Sequence, residues 1–312
     1  MSSQNGHVLV IGASGIDIKA MPHADLLWGA DNLGRIRNSV GGVARNIAEN
    51  LARLDVPTIL LTAVGRDPLG QRILRQTRAP GVNCQHVRRV TGEPTGNHVA
   101  LLKQNGDLDL AVSDFGIIRY VDPAYLIKHR PLFAEASMVV IDVNMTEEAL
   151  ETVFALARDS GVRVCADPTS PTLASKLIPY LNDLFLVTPN AAETSALCGV
   201  EHSAYDRDTA LDAALRLVAL GADIAVVTLG EAGLAYADAN GSGYIRAVRA
   251  NIVDSTGAGD AFTGAVIFGL LNDVPVDEAM RLGVTAAALT LQTSETVVPE
   301  LSQELLYARL VV

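Results

Sequence analysis

Residues 254–260 read Asp-Ser-Thr-Gly-Ala-Gly-Asp. Gly257, Ala258 and Gly259 are small enough to bring backbone against a ligand, and the apolar stretch 261–271 that follows has helical spacing. A helix starting there points its free N–H groups and its positive dipole end at an anion. Asp260 then lies in the first turn, beside the docked anion. An anion cradle with a carboxylate next to it suits phosphoryl transfer, the carboxylate taking the proton of an acceptor hydroxyl. Following the β-branched pair Ile252-Val253, the same heptad would also make an ordinary glycine-rich strand-to-helix turn.

Other motifs fit the same chemistry. Gly41 and Gly42 precede a helical pattern that carries Asn46 in its first turn. The glycines allow close backbone approach, and Asn46 can donate to and accept from a polyol. Asp17, in a loop after the first strand, is an acceptor-only carboxylate suited to vicinal hydroxyls, although a lone loop Asp is more often structural. Asn190 and Glu193 share a helix face, where an acidic side chain can hold hydrated Mg²⁺ between triphosphate oxygens. The same spacing is that of a capping box, and both roles stay open. Thr228, Gly230 and Gly233 end a strand, as an adenine-side wall would or as an ordinary turn would.

These residues need a scaffold. Short apolar strands are predicted at 7–12, 58–64, 138–143, 162–166, 184–187 and 224–228, with helical patterns at 43–54, 147–158, 191–198 and 206–220. The alternation predicts a mostly parallel sheet with helices on both faces, and ligands beyond the carboxyl ends of its strands. Segments 18–38 and 95–113 lack a helical period. The second alternates Val99, Leu101 and Leu108, Leu110 around Asn105-Gly106, which reads as a small antiparallel flap.

The chain has 312 residues, 49% hydrophobic and 19% charged, with a net charge of −11. That balance, without a basic block, argues against nucleic acid and anionic membranes as partners. The three cysteines are scattered, which predicts neither a disulfide framework nor a zinc site and fits a reducing cytoplasm. The N-terminal residues carry no basic charge and do not read as a signal peptide. No apolar run approaches the roughly 20 residues of a membrane span. Gly12-Ala13-Ser14-Gly15 is a partial dinucleotide-binding fingerprint, but the full G-x-G-x-x-G is missing.

The order of these motifs resembles the ribokinase-like, or PfkB, family of carbohydrate and nucleoside kinases. The resemblance runs from Gly41-Gly42…Asn46 through Val64-Gly65-Arg66-Asp67…Gly70, Asn190…Glu193 and Thr228-Leu229-Gly230 to Asp254–Asp260. Asp55 stands where members usually carry glycine. Within the family, residues 30–36, 40–51, 112–114, 142–150 and 166–168 are similar to pseudouridine kinases, with Arg45 before Asn46 the most distinctive feature.

The resemblance implies a three-layer α/β/α fold with a mostly parallel central sheet. It implies one kinase domain over 1–312, with a small β-sheet lid built from segments of roughly 18–40 and 95–113. Asp260 would accept the proton of a nucleoside 5′-hydroxyl, and Gly257, Ala258 and Gly259 would serve the transferred phosphoryl group. Asp17, Gly41, Gly42 and Asn46 would bind ribose, and Ser113, Asp114 and Asn144 lie in the segments that would meet the base. Asn190, Thr228, Gly230, Gly233, Gly257 and Gly259 would bind ATP. Glu193 and Asn190 would hold Mg²⁺ through water, and Asp254 and Thr256 would border a monovalent-cation (K⁺) site. The expected partners are ATP and a small-molecule acceptor, with a homodimer formed through the lid. The alternatives are a family kinase for ribose, a hexose or another nucleoside, and a non-catalytic sensor that kept the fold.

Overall fold

The computed structural model describes residues 6–104, 108–199 and 206–310. The Asn105-Gly106 turn lies outside the described residues. In chain order the strands are β1 His7–Ile11, β2 Gly15–Pro22, β3 Gly34–Gly41, β4 Thr58–Leu61, β5 Ala63–Gly65, β6 Arg88–Val90 and β7 Gly96–Leu102. Then follow β8 Leu108–Asp114, β9 Ala136–Asp142, β10 Val164–Asp167, β11 Leu184–Val187, β12 Ile224–Thr228, β13 Leu234–Asp238 and β14 Gly241–Ile245.

Eight strands form the central sheet in the order β14-β13-β12-β11-β10-β9-β1-β4. The pairs from β4 to β12 are parallel, and β13 and β14 close one edge as an antiparallel hairpin. Apolar side chains leave both faces. On β1 and β9, Leu9, Ile11, Val139 and Ile141 enter one core with Leu150, Val153 and Phe154 of the helix Glu147–Ser160. Val8, Val10, Met138 and Val140 enter the other, with Ile47 and Leu51 of the helix Val43–Arg53 and Val266 and Ile267 of the helix Ala258–Leu271. Burial on both faces is why these strands read as continuous apolar runs. The result is the expected α/β/α layering.

Four strands form a separate small sheet, in the order β3-β2-β7-β8. Its β2–β3 and β7–β8 pairs are antiparallel, the second as expected for 95–113, and a parallel β2–β7 pair joins the two segments in one sheet. Two local expectations are corrected. The run 58–64 is two strands, broken at Thr62. Ile252 and Val253 are exposed loop residues rather than a strand, because no neighbouring strand is there to bury them.

Candidate active site

Asp260 sits at the carboxyl end of the central sheet, in the first turn of the helix Ala258–Leu271. Gly257 caps that helix in the left-handed region at φ 83°. An added Cβ there would collide with the carbonyl of Thr296, so only glycine fits the turn without displacing backbone. A Cβ on Gly259 would meet nothing, which leaves open space over the first-turn amides. The first amides of a helix lack intrahelical acceptors; here that of Ala258 donates to the Ser255 carbonyl at 3.4 Å.

The helix Val43–Arg53 supplies Asn46. Its Nδ2 donates to Asp260 Oδ2 at 2.7 Å, and both residues are buried. The amide orientation is fixed from behind, because Arg45 Nη1 donates to Asn46 Oδ1 at 3.0 Å. Arg45 is itself buried, pairs with Glu49 and donates through Nε to Thr77 Oγ1 at 3.1 Å. Gly42, at φ 98°, begins this helix where a Cβ would strike the Ala13–Ser14 backbone. A Cβ on Gly41 would strike the Asp17 carboxylate, so the glycine pair lets that carboxylate lie against the helix start.

Asp17 is a strand residue, not a loop residue. It lies on β2, opposite Ser39 of β3 and His98 of β7, and His98 lies opposite Ser113 of β8. His98 Nδ1 and Ser113 Oγ are 2.8 Å apart. One polar row therefore crosses the small sheet from Ser39 to Ser113. Two residues on from Asp17, on the same face, Lys19 reaches the loop before the anion cradle. Its Nζ lies 2.6 and 2.5 Å from the two oxygens of Asp254 and 2.5 Å from Thr256 Oγ1. Asp254 Oδ1 also accepts the Thr256 amide at 2.9 Å.

Further carboxylates end the neighbouring strands. Asp142, at the end of β9, accepts the Ala13 and Ala44 amides at 2.7 and 3.1 Å. Its other oxygen takes the backbone and side-chain nitrogens of Asn144, each at 3.0 Å, which occupies one N–H of the Asn144 side chain. Asp167 ends β10 and accepts the Thr169 amide at 2.8 Å. Asn190 and Glu193 complete the capping box of the helix Ala191–Cys198. Asn190 also bridges to Thr228, which brings those two nucleotide-side residues together. Gly230 is open to solvent, whereas Gly233 packs against the Ile245 backbone and supports the turn. Asp114 accepts the Gly116 amide at 3.1 Å, at the end of β8.

Burial dominates the electrostatics. It pushes the Asp260 carboxyl up to about 7, opposed by the Asn46 hydrogen bond and reinforced by the charges of Asp17 and Asp142. Burial likewise raises Asp17, offset by His98, Lys19 and Arg45. It raises Asp167, reinforced by Asp260 and Glu193, and it raises Asp142 and Glu193 against the hydrogen bonds they accept. Burial would raise Asp254 too, but its hydrogen bonds from Lys19 and Thr256 hold it below the ordinary value.

Two cations can be tested against these donors. Among the described residues no three His, Cys, Asp or Glu side chains converge as a metal cage. Glu193 Oε2 is taken by the Asn190 amide. Hard oxygens with few direct contacts fit Mg²⁺ held largely through its own water. The Lys19 ammonium disfavours a monovalent ion at Asp254 and Thr256, because its Nζ lies 2.5–2.6 Å from both carboxylate oxygens and the hydroxyl and would repel a second cation there.

No role for Lys19 or His98 is read from the sequence, and Asp142 and Asp167 enter it only as part of the stretches 142–150 and 166–168. A signal existed for Asp142 and Asp167, each a lone carboxylate closing an apolar run. None existed for Lys19 and His98, whose meaning depends on strand register. The partial fingerprint Gly12–Gly15 leads into β2 rather than a helix, which excludes a dinucleotide-binding turn.

A model of the pfkB family carbohydrate kinases matches residues 5–303. The pseudouridine kinase of Escherichia coli is 32% identical over 300 residues, covering 96% of this chain and 95% of its own. The guanosine-inosine kinase of Exiguobacterium acetylicum is 29% identical over 300 residues, covering 94% of this chain and 97% of its own. The structure of Arabidopsis thaliana ribokinase complexed with ribose and ATP superposes with a TM-score of 0.85 at 23% identity. That match covers 98% of this chain and 99% of the ribokinase, and at that identity it speaks to the fold.

Proposed function

Because the chain belongs to the pfkB family of carbohydrate kinases, we propose that it transfers the γ-phosphoryl group of ATP to the 5′-hydroxyl of pseudouridine. That it is a phosphotransferase acting on a sugar or nucleoside hydroxyl follows from the family. The acceptor and the residue roles are our reading. The observation that carries it is the buried Asp260 carboxylate, held by Asn46 in the first turn of a helix that the left-handed Gly257 caps.

In this reading Asp17, Asn46 and the Gly41-Gly42 backbone hold the ribose hydroxyls, which aims the 5′-oxygen at the γ-phosphorus. Asp260 takes the hydroxyl proton as the new P–O bond forms and the bond to ADP breaks. Amides of Gly257, Ala258 and Gly259 meet the charge on the transferred group. Asn190, Thr228 and Gly230 border the nucleotide. Mg²⁺, when bound near Glu193 and Asp167, neutralises phosphate charge.

The choice of pseudouridine rests on the Escherichia coli relative and on the polar row from Asp17 through His98 to Ser113. Pseudouridine carries an N1–H that uridine lacks, and a polar row beside the ribose offers it acceptors. The Exiguobacterium relative keeps a purine nucleoside as the second reading. Against it, Phe115 packs on Gly15 and Gly96, and Trp28 is exposed, so neither is set to stack on a purine. The small sheet also carries Ile36, Val99, Leu110 and Val112 exposed on the face away from Asp17, and a second copy of the chain would cover them.

The test is ADP release from ATP-Mg²⁺ with pseudouridine, uridine, cytidine, adenosine, guanosine, ribose and fructose. Pseudouridine is expected to give the highest kcat/KM, with uridine roughly 5–150-fold lower for one lost hydrogen bond. Asp260→Asn is expected to lower turnover roughly 10²–10⁴-fold with ATP binding kept. A purine nucleoside or ribose ranking first overturns the acceptor, and near-normal turnover in Asp260→Asn overturns the base.

A further inference from the structure

We infer that the Lys19 ammonium acts as a built-in monovalent cation for the anion-binding turn, so that turnover does not require K⁺. The inference rests on the kinase reading of this site but has its own evidence. Lys19 Nζ lies within hydrogen-bond distance of three oxygens, two from Asp254 and one from Thr256. An ammonium has three N–H donors, so these contacts use all of them. The side chains are largely shielded, with Lys19 15% and Asp254 22% exposed, so the pair is not a loose surface contact.

What the ammonium holds is the loop that ends in Gly257. Asp254 accepts the Thr256 amide, and Gly257 follows at once in the left-handed conformation that starts the helix. An unpaired Asp254 would put a negative charge beside the place where phosphate docks and would weaken the cradle. Lys19 removes that charge and pins the loop. Because Lys19 and Asp17 are on the same face of β2, the strand that presents the carboxylate for the acceptor also anchors the phosphate side. A second cation at these three oxygens would face the ammonium at close range. Lys19 is thus a positioning residue that acts through Asp254 and Thr256.

The experiment compares KCl with tetramethylammonium chloride at equal ionic strength, in wild type, Lys19→Met and Lys19→Gln. Two readouts are taken: kcat/KM for the best acceptor and the melting temperature without substrates. Wild type is expected to show the same rate and Tm in both salts. The variants are expected to lose up to roughly 10²-fold in tetramethylammonium through misplacement of the turn. They should regain both rate and Tm in KCl, as the ion enters the oxygens that Lys19 leaves. Activation of wild type by K⁺ overturns the inference, and so do variants that match wild type in tetramethylammonium. If no acceptor is phosphorylated, the kinase reading fails, while the melting comparison still decides the role of Lys19.

Discussion

Replacing Asn46 by Leu should move the pH dependence of catalysis to higher pH. Asn46 Nδ2 donates to Asp260 Oδ2 at 2.7 Å inside the protein. A donor to a carboxylate favours its charged form, so this bond holds down a carboxyl that burial has already pushed up to about 7. The charged form is the one that accepts the hydroxyl proton. In wild type kcat/KM should therefore rise with pH through a midpoint near 7. A hydrogen bond to a charged group contributes about 1.5–3 kcal/mol, and one pKa unit is 1.36 kcal/mol. Losing it should raise the midpoint by about 1–2 units. Leu is close to Asn in shape and adds no charge, so the change removes the donor to Asp260 and the acceptor that Arg45 Nη1 uses. Asn46 also faces the acceptor in the proposed pose, so the plateau will fall as well, and the midpoint is the quantity to compare. The assay is a kcat/KM–pH profile by coupled ADP release, with the coupling enzymes in excess at every pH. Arg45→Met supplies a second arm: without Nη1 on Asn46 Oδ1, the amide can turn its oxygen toward Asp260, which also raises the midpoint. A midpoint that stays put in Asn46→Leu, or moves to lower pH, would refute both the base assignment and the role of the hydrogen bond.

Asp17→Ala should lower acceptor kcat/KM roughly 10–150-fold, the worth of a charged hydrogen bond, and leave the KM for ATP near wild type; a fall in ATP affinity with unchanged acceptor kinetics would mean the two subsites are interchanged. Val112→Asp puts a charge on the exposed apolar face of the small sheet. Sedimentation should find wild type as a dimer and this variant as a folded monomer, and a monomeric wild type would remove the proposed interface.

How legible the molecule is in its sequence depends on how local the signal is. The central strands announce themselves because both faces are buried, so β1 and β9 are unbroken apolar runs. The Asp254–Asp260 heptad is legible because glycine at 257 and a carboxylate one turn on are fixed by local geometry. Asn190 and Glu193 illustrate an intermediate case, in which the spacing correctly shows a capping box and says nothing more. Asp17 and Lys19 are the opposite case. Their alternation on β2 has meaning only once that strand is paired with β7 on one side and the loop at Asp254 lies beneath it, contacts that join distant parts of the chain. Ile252-Val253 shows the reverse error, a β-branched pair with no sheet to enter.

The carboxylates that close the central strands have a thermodynamic consequence apart from their individual roles. Asp142, Asp167, Glu193 and Asp260, with Asp17 above them, are all shifted toward the protonated form by burial. Such a group of acids acts as a proton reservoir within the fold. Any ligand that brings positive charge among them lowers their proton affinity, so binding and proton release are linked. The affinity for such a ligand then rises with pH across the range where the reservoir empties, and its measured heat carries the ionisation enthalpy of whichever buffer receives the protons.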